Sequence, residues 1–107
     1  MKISIITVCY NSGKTIEDTF KSVQSQSYKD IEYIVIDGGS KDNTLELINQ
    51  YKEIIDYSVS EKDNGLYDAM NKGIRLAKGE WINFMNAGDS FSNENTLNTC
   101  IQEIGRA

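Results

Sequence analysis

Short apolar runs alternate with amphipathic stretches along the whole chain. Ile3 to Val8 is a β-branched run, too continuously apolar for a half-solvated strand. It suits a strand buried on both faces of a parallel sheet. Tyr10-Asn11-Ser12-Gly13 breaks that run, and Thr15 with Asp18 three residues later reads as a capping box. Ile16, Phe20 and Val23 then recur at helical spacing. Ile31 to Ile36 predicts a second strand, ended by Asp37-Gly38-Gly39-Ser40. Asp42 is placed to cap a helix whose apolar face is Leu45, Ile48 and Tyr51. Ile54 to Val59 reads as a weaker third strand. Asn64-Gly65 opens a helix with Tyr67, Met70, Ile74 and Ala77 on one side, and Gly79 stands where a glycine commonly ends a helix. Glu80 to Met85 predicts a fourth strand, Asn86-Ala87-Gly88-Asp89 turns out of it, and Leu97, Cys100, Ile101 and Ile104 start a last helix.

The predicted order is β-α-β-α-β-α-β-α. Strands alternating with helices imply right-handed crossovers and an α/β, Rossmann-like fold, a mainly parallel sheet flanked by helices. Ligands of such sheets bind outside the carboxyl ends of the strands, where the strand order reverses. The segments expected there are residues 7–11, 37–40, 60–68 and 86–89. Asp37, Asp63, Asp68 and Asp89 fall in them. Crowded carboxylates repel unless a cation or a donor-rich ligand sits among them. The pattern therefore points to a divalent cation, Mg2+ or Mn2+, and a phosphorylated ligand.

Composition narrows the choices. The chain has 107 residues, a net charge of −5 and no histidine. One domain over residues 1–107 is expected. No Lys/Arg cluster reaches the density of a nucleic-acid patch, so nucleic acid is not an expected partner. No apolar stretch approaches the roughly 18 residues of a membrane span, and the first residues lack the features of a signal peptide. The absence of histidine removes the usual general base and most zinc sites. Cys9 and Cys100 read as two buried reduced thiols. A cytoplasmic protein is expected, in full-length form peripheral at the inner face of the membrane.

Each candidate has a plain structural alternative. Gly38, Gly39 and Asp42 suit an ordinary βα turn. The turn is neither a dinucleotide fingerprint nor a P-loop. Asp37, a charge ending a buried strand, can accept a hydrogen bond from a base or ribose. Asp89 either caps the following helix or holds a metal, with the diphosphate supplying the other oxygens. Asp68, Asn71 and Lys72 share one helical side, as a local Asp68–Lys72 pair or as groups reaching a ligand.

Four ordered blocks resemble the N-terminal half of family 2 glycosyltransferases of the GT-A fold. Ser4-Ile5-Ile6-Thr7-Val8-Cys9-Tyr10-Asn11 is similar to the family's opening strand. Residues 32–44, with Asp37-Gly38-Gly39-Ser40-Lys41-Asp42-Asn43-Thr44, resemble its second strand and turn. Residues 61–73 resemble the Y-D-A-M-N-K-G block of one bacterial subgroup, and Ala77-Lys78-Gly79-Glu80 leads to its Asp-rich stretch. The resemblance implies a nucleotide-sugar donor, a UDP-sugar foremost, and inverting transfer to a saccharide or lipid-linked acceptor in polysaccharide biosynthesis. It implies that Thr7 and Tyr10 line the base pocket and that Asp37 hydrogen-bonds the base. Asn11, Gly39, Asp63, Asp68, Asn71, Lys72 and Asn86 would lie along the donor cleft, with Asp89 the metal ligand. Asn86 stands where many relatives carry Asp, and Gly88 replaces a further Asp. The acceptor half and its catalytic base would lie outside these residues. A chain cut there is expected to bind donor without turnover and to self-associate through an exposed sheet edge. The rival readings are a receiver-like signalling module and a scaffold that has lost its ligand. The receiver-like one requires an acidic pair after the first strand, where this chain has Cys9-Tyr10-Asn11.

Overall fold

A computed structural model describes residues 1–106. Four strands and four helices alternate: β1 (Ile3–Cys9), α1 (Ile16–Gln24), β2 (Ile31–Asp37), α2 (Thr44–Gln50), β3 (Tyr57–Ser60), α3 (Leu66–Leu76), β4 (Trp81–Phe84) and α4 (Thr96–Arg106). The strands form one sheet in the order β3-β2-β1-β4, with every pair parallel. The predicted α/β order is the one observed. β1 and β2 are central and pair over seven residues, from Ile3 with Ile31 to Cys9 with Asp37. β1 is buried throughout, as its unbroken apolar run required. β3 and β4 are short, largely exposed edge strands.

Strand order explains how the helices divide between the faces. From β1 to β3 the chain steps one way across the sheet, then jumps back past β1 to β4. A crossover of fixed hand changes face when its direction reverses. Helices α1, α2 and α4 accordingly pack against Ile3, Ile5, Tyr33 and Val35, through Ile16, Phe20, Val23, Leu47, Ile48 and Leu97. Helix α3 covers the other face, against Ile6, Val8, Ile34 and Ile36. Tyr33 is the largest fully buried side chain. Its ring meets Phe20 edge to face at 6.1 Å, and its hydroxyl lies 2.7 Å from Thr7 Oγ1.

Several sequence expectations are corrected. Leu45 is exposed and Leu47 takes its place on the buried face of α2. β3 begins only at Tyr57, while Ile54 and Ile55 pack against the core from the preceding turn. On α3 the buried face is Ala69 and Gly73, whereas Tyr67 is 81% exposed and Ile74 43%. Bulk had pointed to Tyr67 and Ile74, but the helix approaches the sheet too closely for large residues. A Cβ on Gly73 would lie 2.5 Å from Ile6 Cγ2. Gly79 also answers a close approach, with Ser4 Oγ 2.6 Å from where its Cβ would stand. Thr15 makes no side-chain cap of α1. Cys9 is buried but Cys100 is exposed. Ala107 lies outside the described residues. Among those described, no helix is long and apolar enough to cross a membrane.

One buried carboxylate ties the ends of the central strands. Asp37 ends β2 and is fully buried. Its Oδ2 accepts the N–H groups of Gly39 (3.1 Å) and Ser40 (2.8 Å) and the hydroxyl of Ser60 at the end of β3 (2.8 Å). Its Oδ1 accepts the Ser40 hydroxyl and, at 3.5 Å, the Cys9 thiol at the end of β1. Burial pushes this carboxyl up, but the hydrogen bonds from Ser40, Ser60 and Cys9 outweigh it and hold the group below its ordinary 3.8. A carboxyl depressed on folding contributes stability in full above its unfolded value, and loses it as pH falls through the folded value.

Two outcomes follow from the packing. Gly73→Val should destabilise the fold by about 1–3 kcal/mol through overpacking against Ile6, read by urea unfolding. Asp37→Asn turns an amide donor toward groups that already donate, and should cost about 1–3 kcal/mol at pH 7. That gap should narrow as pH drops below 3.8 and the wild-type carboxyl protonates. A gap that is constant from pH 7 to pH 2 would show that the charge of Asp37 contributes nothing.

Candidate functional site

The reversal of strand order leaves an opening between the carboxyl ends of β1 and β4. A cleft of about 370 Å3 occupies it, floored by Val8, Cys9 and Ala69 and walled by Tyr10, Ser12, Asp63, Leu66 and Asn86. This is the place the topology prescribes for a ligand.

The first wall is the loop after β1. Asn11 adopts φ 47°, a left-handed conformation that Asn tolerates better than most residues. Its N–H donates to Ser40 Oγ (2.8 Å) and its Oδ1 accepts the Lys41 N–H (2.8 Å). The N–H of Ser12 donates to Thr44 Oγ1 at 2.8 Å. These bonds pin the loop to the turn after β2 and leave the ring of Tyr10 59% exposed at the cleft.

The second wall is the approach to α3. Asp63 is half-buried, and its Oδ1 accepts the Gly65 N–H at 3.1 Å. A Cβ on Gly38 would stand 2.9 Å from Asp63 Oδ2, so the glycine after Asp37 makes room for this carboxylate. Asp68 Oδ2 accepts the Asn64 N–H at 2.9 Å. That bond, with the nearby Lys72 ammonium, lowers the Asp68 pKa. Lys72 lies 3.1 Å from Glu61 and 3.6 Å from Asp68. Partial burial opposes its charge, but the Glu61 carboxylate outweighs that and holds its pKa up.

The third wall is the turn after β4. The Asp89 N–H donates to Asn86 O (2.9 Å), and Asp89 Oδ2 accepts the Asn86 N–H (3.1 Å). Gly88 takes φ 97°, open to glycine and strained for other residues. Buried Thr19 of α1 reaches this turn, accepting the Gly88 N–H at 2.9 Å and donating to Asp89 O at 2.6 Å.

Tyr10, Asp63 and Asn86 thus come together on the cleft, with Asp89 exposed on the turn beside Asn86. The other expected residues stand elsewhere. Thr7 is fully buried, with its hydroxyl on Tyr33. Asp37 is fully buried, with both oxygens bonded to its own turn and the neighbouring strands, so it presents no oxygen to the cleft. Asn11 and Gly39 shape the two turns. Lys72 points with Glu61 toward β3, and Asn71 is exposed on α3. Cys9 is on the cleft floor, but burial first, and then the Asp37 carboxylate, push its thiol far up, which makes it inert. Sequence reasoning missed Ser12, Leu66 and Thr19. Thr19 alone had a signal, since it shares the buried side of α1 with Ile16 and Val23. Among the described residues, no group of three or more His, Cys, Asp and Glu side chains gathers to hold a metal.

Known proteins share this fold. The chain is 37% identical over 103 residues to an uncharacterised glycosyltransferase of Mycobacterium tuberculosis, covering 95% of this chain and 39% of that one. Its fold matches Staphylococcus aureus TarS in complex with UDP-GlcNAc at a TM-score of 0.89 and 27% identity, over 99% of this chain and 32% of TarS 1–349. It also matches a mannosyltransferase of Pyrobaculum calidifontis in complex with GDP-Man and Mn2+, at a TM-score of 0.85 and 24% identity, which shows the shared fold. That match covers 94% of this chain and 31% of the mannosyltransferase. The chain therefore spans about two fifths or less of these relatives. The sequence model of Glycosyl transferase family 2 matches residues 4–107, and the chain belongs to that family.

Proposed function

We propose that this chain is the donor-binding part of an inverting glycosyltransferase and holds a nucleotide sugar, foremost a UDP-sugar, in the cleft between β1 and β4. The observation that carries the reading is the cleft itself, where an exposed aromatic ring faces polar oxygens at the topological reversal. The UDP-GlcNAc complex of TarS supports a uridine donor. In this reading the Tyr10 ring stacks on the base, and Asp63 and Asn86 hydrogen-bond the base or ribose. Asp37 and Thr7 act from beneath, by fixing the strand ends.

Asp89 offers one hard oxygen donor on an exposed turn. Magnesium-type cations are commonly held by one or two carboxylates plus substrate phosphates and water. One carboxylate suits a cation, Mg2+ or Mn2+, that arrives with the diphosphate rather than a resident ion. Once bound, that cation supplies neutralisation of the charge growing on the departing diphosphate. In the complete reaction an acceptor hydroxyl oxygen bonds to the anomeric carbon as the bond to the diphosphate oxygen breaks. The hydroxyl proton passes to a base. The saccharide or lipid-linked acceptor, its pocket and that base belong to the additional length of the relatives in this reading. A cytoplasmic location follows from the use of a nucleotide sugar.

The open edge of β4 supports a second partner, another copy of this chain. The N–H groups of Met85 and Trp81 point to β1, at 2.8 Å and 3.4 Å from Ile6 O and Lys2 O. Those of Ile82 and Phe84 therefore face outward. An antiparallel pairing of two β4 strands about Asn83 would set Ile82 opposite Phe84 twice, a self-complementary register. Trp81, Ile82 and Phe84 are 48%, 40% and 36% exposed. That amounts to roughly 200–300 Å2 of apolar side chain per copy, well short of the ~800 Å2 of a standard interface, so the association is weak.

Calorimetry with UDP, GDP and dTDP in Mn2+ tests the donor site. One nucleotide should bind more tightly with metal than without, and Asp89→Ala should remove the difference. Tyr10→Ala should weaken binding about tenfold, in keeping with 1–3 kcal/mol for a base stacked on an aromatic ring. No binding of any of the three at millimolar concentration would end the donor-site reading and leave a receiver-like module or a bare scaffold. Sedimentation equilibrium should show dimers only at high concentration, and Ile82→Lys should abolish them. A concentration-independent monomer would exclude the edge pairing.

A further inference from the structure

The ten residues from Gly88 to Leu97 carry Asp89 across to α4 without forming a strand or reaching far into that helix. A row of polar side chains on and just beyond α1 holds them instead. Thr19, Ser22 and Gln26 are three and four residues apart, which puts them on one side of the helix. Ser22 Oγ accepts the Phe91 N–H at 2.7 Å. Gln26, 1% exposed, donates to Asn93 O at 2.7 Å and accepts the Leu97 N–H at 3.1 Å. Thr19 alone in this row grips the turn that carries Asp89, through Gly88 N–H and Asp89 O.

A threonine within a helix usually turns its hydroxyl to a carbonyl of its own preceding turn. Thr19 is fully buried, yet its hydroxyl bonds groups 69 and 70 residues away. Apolar packing alone would be met as well by valine. The hydroxyl is needed only by the turn: the Asn86–Asp89 bonds are internal, the Ala87 N–H holds the near side of the turn to Val8 O at 3.3 Å, and Gly88 N–H and Asp89 O on its far side are held by Thr19. Thr15 closes over the same place, with its Cβ 3.5 Å from where a Cβ on Gly88 would stand. A cation shared between one carboxylate and a diphosphate has few protein ligands to orient it. The placement of that carboxylate then decides how well the shared site forms.

We propose that Thr19 is a positioning residue for the cation and diphosphate: from α1 its buried hydroxyl fixes the Ala87–Gly88 and Asp89–Ser90 peptide groups, which bracket Gly88 and Asp89, and so aims the carboxylate. The proposal rests on the reading that Asp89 holds a cation together with a nucleoside diphosphate.

The test is the ratio of UDP dissociation constants without and with Mn2+, measured by calorimetry on the whole chain. Thr19→Val keeps the shape and removes the hydroxyl. It should cut the wild-type ratio tenfold or more while metal-free binding stays the same, the size of effect seen when a group supporting a ligand is lost. Thr19→Ser should keep the ratio within about twofold of wild type. Ser22→Ala removes a neighbouring grip on the same segment, and should lower the melting temperature yet leave the ratio intact. Should the valine variant fail to fold, Thr19→Ala takes its place with the same expectation. A full ratio in the folded Thr19 variant would overturn the proposal. Equal loss in Ser22→Ala would overturn it too, since any loosening of the segment would then suffice. A wild-type chain that binds UDP with no metal effect would remove the cation reading itself, and Thr19's assigned role with it.

Discussion

Asp37 is the constraint on which the rest of this structure depends. A parallel sheet leaves the carboxyl ends of its strands as a row of loop origins, and a site built there is only as rigid as those origins. Here one carboxylate at the end of β2 accepts from the turn that follows it, from Ser60 at the end of β3 and from Cys9 at the end of β1. An unpaired buried charge costs several kcal/mol. This one has five donors, so it locks three strand ends and the first turn of the β2–α2 connection into one unit. The turn then holds Asn11 and Ser12 through Ser40 and Thr44, and these hold the loop of Tyr10. A group that touches no ligand in this arrangement thereby sets where the exposed ring stands.

The second constraint is the reversal in strand order. Had β4 followed β3 outward, α3 would lie on the same face as α1, and no gap would open beside β1. Placing β4 on the far side of β1 sends α3 to the other face and separates the loops after β1 and β4. The cleft is that separation. Its depth depends on α3 lying close to the sheet, which the small residues Ala69 and Gly73 permit.

The element order was legible because buried parallel strands and amphipathic helices have different periods, and residues 3–9 and 31–37 show theirs plainly. The faces were less legible. Leu45 and Leu47 are identical to a hydrophobicity pattern, and only the docking of α2 selects Leu47. On α3 the logic of bulk inverts, because Tyr67 is outside and Gly73 inside. The carboxylates were the hardest to read. Asp37 and Asp63 both follow strands, and nothing in their neighbours says that one is sealed by Ser40, Ser60 and Cys9 while the other lines a cleft. Ser40 is only three positions from Asp37, but Ser60 and Cys9 are 23 and 28 positions away, which no local pattern contains. The family blocks cover the turns that border the cleft, and the turns are what the fold brings together.

The two principal walls of the cleft are anchored to different parts of the molecule. The Tyr10 loop is fastened to the turn after β2, whereas the Asn86–Asp89 turn is fastened across the sheet face to α1. Helix α1 begins only four residues after Ser12, so the same short segment bears on both. Ser12 accepts the N–H of Ile16 through its backbone carbonyl, which couples the Tyr10 loop to the first turn of α1. A displacement of α1 along its axis would therefore move the Tyr10 ring and the Asn86–Asp89 turn together. The site is better described as two walls hinged on one helix than as two independent loops, and this is why Thr19 on α1, a helix with no side chain in the cleft lining, bears on the shape of the cleft.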